Sequence, residues 1–281
     1  DYRINAIALT LTTEPKLLDP SGGIADLRAQ RITAINERNL LDDPLRLLRA
    51  LRLAAELTMT IDEATVEMIA RHRHQLPKVA PERIQAELLK LVKADNADQA
   101  IGLLNALQVI APWSSDRPQK TLHTSALRTE EHQLALPLAR LTQLLSDQGV
   151  KDLRFSRKQI QRCMRLRAWW DRDQQQSAES LTEQERLKLH QELEEDLPAF
   201  TLTWPIERQK EWLNRWRDHE DRLFHPSAPL DGRTLQAELG LRPGPRLGEL
   251  IHHLCHERAF GRIQNQDDAI QCARAWINKP L

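Results

Sequence analysis

Two kinds of periodicity divide this chain. Residues 5–11 (N-A-I-A-L-T-L) alternate apolar and polar side chains loosely over the length of a strand. Residues 16–19 and 31–35 read as two further short strands. Between them lie the turn Pro20-Ser21-Gly22-Gly23 and a short helix or turn through Asp26-Leu27. From residue 43 onward the apolar positions recur every three or four residues, which predicts helices. They are expected near 43–57, 62–74, 81–93, 97–107, 132–145, 157–173, 182–196, 205–219, 232–239, 246–261 and 267–278. Asp62-Glu63, Pro81-Glu82 and Asn96 supply starting signals. Three short strands cannot form an independent core. They are therefore read as the remnant of a larger sheet leading into a mainly α, multi-helical protein. Polar, proline-bearing stretches at 112–130 and 224–231 are the expected boundaries, so the chain is divided into 1–40, 41–111, 112–228 and 229–281.

Composition sharpens this picture. Of 281 residues, 41% are hydrophobic and 28% charged, a folded rather than a disordered balance. No apolar run approaches the roughly 20 residues that span a bilayer, so no membrane partner is expected. No signal peptide is visible. Three scattered cysteines are too few for a disulfide framework and fit a reducing, cytoplasmic setting. Forty Lys+Arg balance forty Asp+Glu, which at first argues against a nucleic-acid partner. The balance is uneven along the chain, however. Residues 151–167 hold seven bases and one acid; residues 179–196 hold seven acids and two bases. Arg154, Lys158, Arg162 and Arg165 step along one helix face. Such a stripe either tracks an RNA backbone through its phosphates or pairs with the nearby acidic helix.

The most informative segment is Asp42-Asp43-Pro44-Leu45-Arg46. Asp43 before Pro44 suits a helix start. Asp43, Arg46, Arg49 and Glu56 fall on one side of the helix, while Leu45, Leu48, Leu51 and Ala55, with Leu47 and Ala54, supply its apolar faces. An acceptor beside a guanidinium fork matches the edge of cytosine or adenine, where an amino donor adjoins a ring acceptor. From spacing alone, a capping Asp with a surface Arg is the simpler reading. Three other motifs carry less. His252, Cys255 and His256 at i, i+3 and i+4 could offer metal ligands, but Cys255 reads as a core residue and no metal site is expected. Asp171-Arg172-Asp173 reads as a solvated helix end. Trp204, Trp212 and Trp216 read as core.

Taken in order, several segments resemble the class II tRNA nucleotidyltransferase (CCA-adding enzyme) and bacterial poly(A) polymerase family. Asp1-Tyr2-Arg3-Ile4-Asn5-Ala6 looks like the end of R-R-D-F-T-x-N-A. Asp19-Pro20-Ser21-Gly22-Gly23-Ile24-Ala25-Asp26-Leu27 looks like D-P-x-G-G-x-x-D-L. Asp42-Asp43-Pro44-Leu45-Arg46, with Arg49 and Arg52, is similar to E-D-P-x-R-x-x-R-x-x-R-F. Pro81 to Leu88 matches P-E-R-I-x-x-E-L. Asp231 to Leu250 is similar to the tail element G-x-D-L…L-G-L-x-P-G-P-x-x-G-x-L. The likeness covers most of 1–107 and 229–278 and is weak between 112 and 225.

The resemblance implies a remnant of the small α/β head (1–40), a nucleotide-selecting neck (41–111), a helical body (112–228) and an RNA-binding tail (229–281). It implies transfer of CMP or AMP from CTP or ATP to a tRNA 3′-OH with release of pyrophosphate. Asp43 and Arg46 would act as a protein template for the incoming base. Asp1 and Asn5 would contact ribose and triphosphate. Arg49 and Arg52 would orient the template or meet phosphate. Glu82 and Arg83 would brace the neck against the head, and Gly22 and Gly23 would shape a tight turn. Asp42 stands where the motif has Glu, and Arg3 where it has Thr. The family's Gly-Gly element with a strand-borne Asp-x-Asp pair for Mg²⁺ has no match here, so catalytic residues are expected outside this chain and the chain is expected not to catalyse alone. A non-catalytic helical RNA-binding or scaffold protein is the rival reading, and a poly(A) polymerase the alternative within the family.

Overall fold

The computed structural model describes residues 1–278, so the last three residues of the expected tail span lie outside the described residues. In chain order the elements are β1 (Ala8–Leu9), β2 (Leu17–Leu18), α1 (Gly23–Arg28), β3 (Arg31–Ile32), α2 (Glu37–Asp42), α3 (Leu45–Leu57), β4 (Thr60–Ile61), α4 (Glu63–His72), α5 (Pro81–Lys93), α6 (Ala97–Ala106), α7 (Thr129–Leu144), α8 (Asp147–Asp152), α9 (Arg157–Gln175), α10 (Glu183–Leu193), α11 (Leu197–Thr201), α12 (Ile206–Arg217), α13 (Gly232–Leu239), α14 (Pro245–Ala259) and α15 (Gln266–Ile277). The mainly α expectation holds. The chain forms two compact units, residues 1–120 with 133–164, and residues 121–132 with those described from 165 on.

In the first unit the strands differ from expectation. Residues 3–6 form a 3₁₀ turn instead of the start of a strand, because Tyr2 already bridges Ala34 and the Asn5 N–H turns back to the Tyr2 carbonyl (2.9 Å). Only Ala8–Leu9 remains extended, pairing antiparallel with β2 in the register Ala8↔Leu18 and Leu9↔Leu17. β3 finds its partner beyond α3, running parallel to β4 with Arg31↔Thr60 and Ile32↔Ile61. A parallel pair needs a crossover, and α2 and α3 supply it. The two-residue β4 carries no periodicity of its own, which is why the sequence pattern does not reveal it. Two short helices also escape the pattern. α2 is capped by Asn36, whose Oδ1 accepts the Asn39 N–H (2.9 Å), and α8 by Ser146, whose Oγ accepts the Gly149 N–H (2.9 Å).

α3 is the core of this unit. Leu45, Leu47, Leu48, Ala50, Leu51, Leu53, Ala54 and Ala55 are buried on it, against α5 (Ile84, Leu88, Leu91, Val92) and α6 (Ala97, Ala100, Ile101, Leu104). Burial runs around most of its circumference. Positions 46, 49, 52 and 56 break it, and Leu57 at the C-terminal end is exposed. Arg140 of α7 reaches down to close the ends of α5 and α6. Its guanidinium bonds both Asp98 carboxylate oxygens (2.8 and 2.9 Å) and the Val92 and Ala94 carbonyls (both 3.0 Å).

The second unit has an aromatic centre. Phe200, Trp204, Trp212 and Phe224 pack edge to face with centroids 4.7–5.3 Å apart. His190 lies against Phe224 (4.1 Å), and burial pushes its imidazole down to about 3, so it is neutral there. Asp173 corrects the reading of a solvated helix end. It is largely buried and accepts from Trp204 Nε1 (2.7 Å), Arg208 (2.7 Å) and the Ala178 N–H (3.0 Å). A separate cluster of Leu230, Leu235, Leu247, Leu250, Leu254, Ile263, Ala269 and Ala273 holds α13, α14 and α15 together.

The Gly22-Gly23 turn uses each glycine differently. Gly22 has φ +77°, a left-handed conformation that glycine adopts without a Cβ clash. At Gly23 a Cβ would lie 2.3 Å from the Arg3 carbonyl oxygen, so the N-terminal turn can seat on α1 only without a side chain there. Asp19 completes the turn by accepting the Gly23 (2.7 Å) and Ile24 (3.0 Å) N–H groups. Gly23→Ala is expected to lower unfolding free energy by about 2 kcal/mol, since backbone must move. Gly102→Ala, where nothing lies within 4 Å in mid-α6, should raise it by about 0.5–1 kcal/mol. Urea denaturation of the two variants, with opposite signs, tests this.

Candidate functional site

Three arginines spaced by three drift slowly around a helix and form one stripe. On α3 this stripe, with Glu56 one turn beyond Arg52, interrupts an otherwise mostly buried helix, and its members are partnered. The Asp1 carboxylate meets Arg46 Nε through one oxygen and Arg49 Nη1 through the other, each at 2.7 Å. Arg46 Nη1 also donates to the Asn39 carbonyl (2.6 Å). Arg52 Nε donates to Glu87 Oε2 on α5 (2.5 Å) and its Nη1 to Glu56 one turn on. Tyr2, fully buried, donates its hydroxyl to the Arg46 carbonyl, and burial pushes that hydroxyl's pKa up.

Asp43 sits where α2 ends and α3 begins, with extended backbone. Its Oδ1 accepts the Leu45 N–H (3.2 Å) and its Oδ2 accepts Arg83 Nη2 of α5 (2.7 Å). Burial pushes the Asp43 carboxyl up, but the Arg83 hydrogen bond, the Leu45 amide and the Arg83 and Arg46 charges outweigh it. The net shift is below the usual carboxylate range. Asp43 and Arg46 are both partly exposed. An ionised acceptor and a guanidinium thus stand one turn apart at a helix start, each held by a different neighbour.

The other residues singled out in the sequence fall as follows. Asn5 lies exposed in the N-terminal 3₁₀ turn. Arg83 reaches Asp43, and Glu82 reaches Arg154, a residue with φ +57° whose carbonyl also accepts Gln85 Nε2 (3.1 Å). The basic stripe is not uniform. Lys158 and Arg165 are exposed, Arg154 is exposed but ion-paired, and Arg162 is half-buried. Cys255 is buried, with Gln191 Nε2 at 3.7 Å from its sulfur. Glu87 received no role from the sequence. Its signal is a Glu three residues after Ile84 and four before Leu91, on the buried face of α5.

Comparison with known proteins fits this geometry. The family described as "Probable RNA and SrmB- binding site of polymerase A" matches residues 58–113. A CC-adding tRNA nucleotidyltransferase of Synechocystis sp. is 28% identical over 98% of this chain and 73% of its own length. An A-adding tRNA nucleotidyltransferase of Halalkalibacterium halodurans is 28% identical over 99% of this chain and 67% of its own. A Thermotoga maritima CCA-adding enzyme, solved in complex with tRNA, shares the fold with a TM-score of 0.72 at 17% identity, over 99% of this chain and 72% of that one. Over nearly its whole length the chain is thus similar to tRNA nucleotidyltransferases, and it shares their fold.

The Arg52–Glu87 pair is about nine-tenths buried on both sides, so removing one partner strands the other. Arg52→Met is expected to cost about 3–5 kcal/mol of stability. Adding Glu87→Leu to it should recover most of the loss. A thermal or urea double-mutant cycle checks this, and additive losses would contradict it.

Proposed function

We propose that this chain carries the nucleotide-selecting and RNA-binding parts of a tRNA 3′-end nucleotidyltransferase. The enzyme moves CMP or AMP from CTP or ATP to the tRNA 3′-OH and releases pyrophosphate. The observation that carries the reading is the Asp43–Arg46 pair at the start of α3. A carboxylate only accepts hydrogen bonds and a guanidinium only donates. Cytosine and adenine each present an amino donor beside a ring acceptor, matching that order. Uracil and guanine present a carbonyl where the amino group should be, and would face Asp43 acceptor to acceptor. The names of the relatives, one CC-adding and one A-adding, support the same two substrates.

The layout proposed is a head remnant at 1–40, a neck at 41–111, a body at 112–228 and a tail at 229–281. The separate core under α13–α15 supports the tail. Exposed Lys158 and Arg165 are the proposed phosphate contacts of the basic stripe. Mg²⁺ is expected of the whole enzyme from the resemblance, but the residues here do not fit it. Among the described residues no three His, Cys, Asp or Glu gather around one point, and Asp173 is taken up by Arg208 and Trp204. No step is assigned to a metal within this chain. Among the described residues no helix is long and apolar enough to cross a membrane, and a cytoplasmic setting fits an enzyme of tRNA maturation.

The test is the full-length protein on tRNA lacking its 3′ end, with CTP and ATP supplied separately and together. Incorporation of C, of A, of both or of a long A tract distinguishes the members of the family. No incorporation with any nucleotide would sink the enzyme reading in favour of a binding protein. Arg46→Ala should blunt discrimination among the four nucleotides by about five- to 150-fold, the range for one base-edge contact, and leave tRNA affinity nearly unchanged. A collapse of tRNA affinity with intact discrimination would refute the template assignment. Lys158→Ala should reduce the slope of log affinity against log salt by about one; an unchanged slope removes Lys158 from the RNA surface.

A further inference from the structure

An acid and a base three residues apart across a helix start are close enough to pair with one another. Asp43 and Arg46 do not. Asp43 turns its Oδ2 to Arg83, and Arg46 turns its Nε to Asp1 and its Nη1 to the Asn39 carbonyl. Each member of the pair is held by a group from another element: α5 for the acid, and the N-terminal segment and α2 for the base. A self-paired Asp43–Arg46 would cancel the donor and acceptor that a base edge needs. We infer that Arg83 is a positioning residue, which holds the Asp43 carboxylate away from Arg46 and aimed outward, with Asp1 and the Asn39 carbonyl doing the same for the guanidinium. This inference rests on the template reading proposed above. It gives Arg83 a place at the nucleotide edge rather than at the brace between neck and head.

The arrangement follows from the register of α3 and α5. Arg83 is the third residue of α5, which packs along α3, and its side chain enters at the point where the chain passes from α2 into α3. The contact is partly exposed on both sides, with Arg83 52% and Asp43 24% accessible. It therefore contributes little to stability. Its effect is on direction. Removing it frees the carboxylate to swing toward Arg46.

The experiment uses the full-length enzyme on tRNA lacking its 3′ end, with Arg83→Gln, Arg83→Lys and Asp43→Ala compared. In Arg83→Gln, discrimination of CTP against UTP should fall by about tenfold or more, within the range for one base-edge contact. The loss should appear in KM for CTP and ATP, with kcat, tRNA affinity and the thermal midpoint little changed. Arg83→Lys, which keeps the charge and a donor, should recover part of the discrimination. Discrimination unchanged in Arg83→Gln overturns the inference. So does an equal loss for all four nucleotides with a lowered thermal midpoint and no rescue by lysine, which marks a merely structural contact. Asp43→Ala separates this inference from the reading beneath it. If Asp43→Ala keeps full discrimination, the template reading fails and Arg83 loses its role with it. If Asp43→Ala loses discrimination while Arg83→Gln keeps it, only the role of Arg83 fails.

Discussion

The arginine stripe of α3 is the constraint around which the first unit is built. A helix buried on most of its circumference can carry charge only where that charge is met, because a lone buried ion costs several kcal/mol. Arg46, Arg49 and Arg52 are each met by carboxylates from different places in the chain: Asp1 for the first two, Glu56 and Glu87 for the third. These pairs tie the N-terminal segment and α5 to one helix. They also grade its function along its length. The inner end, at Arg52, is sealed and structural. The outer end, at Asp43 and Arg46, stays partly open.

The zero net charge looks different once the partners are known. Arg140 is spent on Asp98 and the ends of α5 and α6, Arg208 on Asp173 and Glu179, Arg217 on Glu131, and Arg262 on Glu183 and Glu257. Much of the basic content is internal fastening between helices. Others stay at the surface, with Lys158 and Arg165 exposed on α9. Neutrality therefore describes how the helices are held together, and says little about the surface an RNA would meet.

The sequence carried far in some places and failed in others for identifiable reasons. α5 and α13 fall at the expected residues because proline and aspartate start signals coincide with a clean helical period. α2, α8 and β4 were not legible, since none is long enough to show a period. The strand expected at residues 5–11 shrank to two residues, because local alternation cannot reveal that Tyr2 pairs with Ala34 and turns the chain. Asp173 looked like a solvated terminus, yet three donors converge on it from residues 5 to 35 positions away.

The sequence by itself determined the helical class, the polar stripe on α3 and the adjacency of Asp43 and Arg46. All of these depend on spacing along one element, and the helical repeat converts spacing directly into a face. Only the tertiary structure decided which carboxylate each arginine serves, why Asp43 and Arg46 remain apart, and which bases of the 154–165 stripe are still exposed. Those outcomes depend on contacts between elements as distant as Asp1 and Arg46, Asp43 and Arg83, or Glu82 and Arg154. Residue spacing within an element carries no record of which neighbour will pack against it.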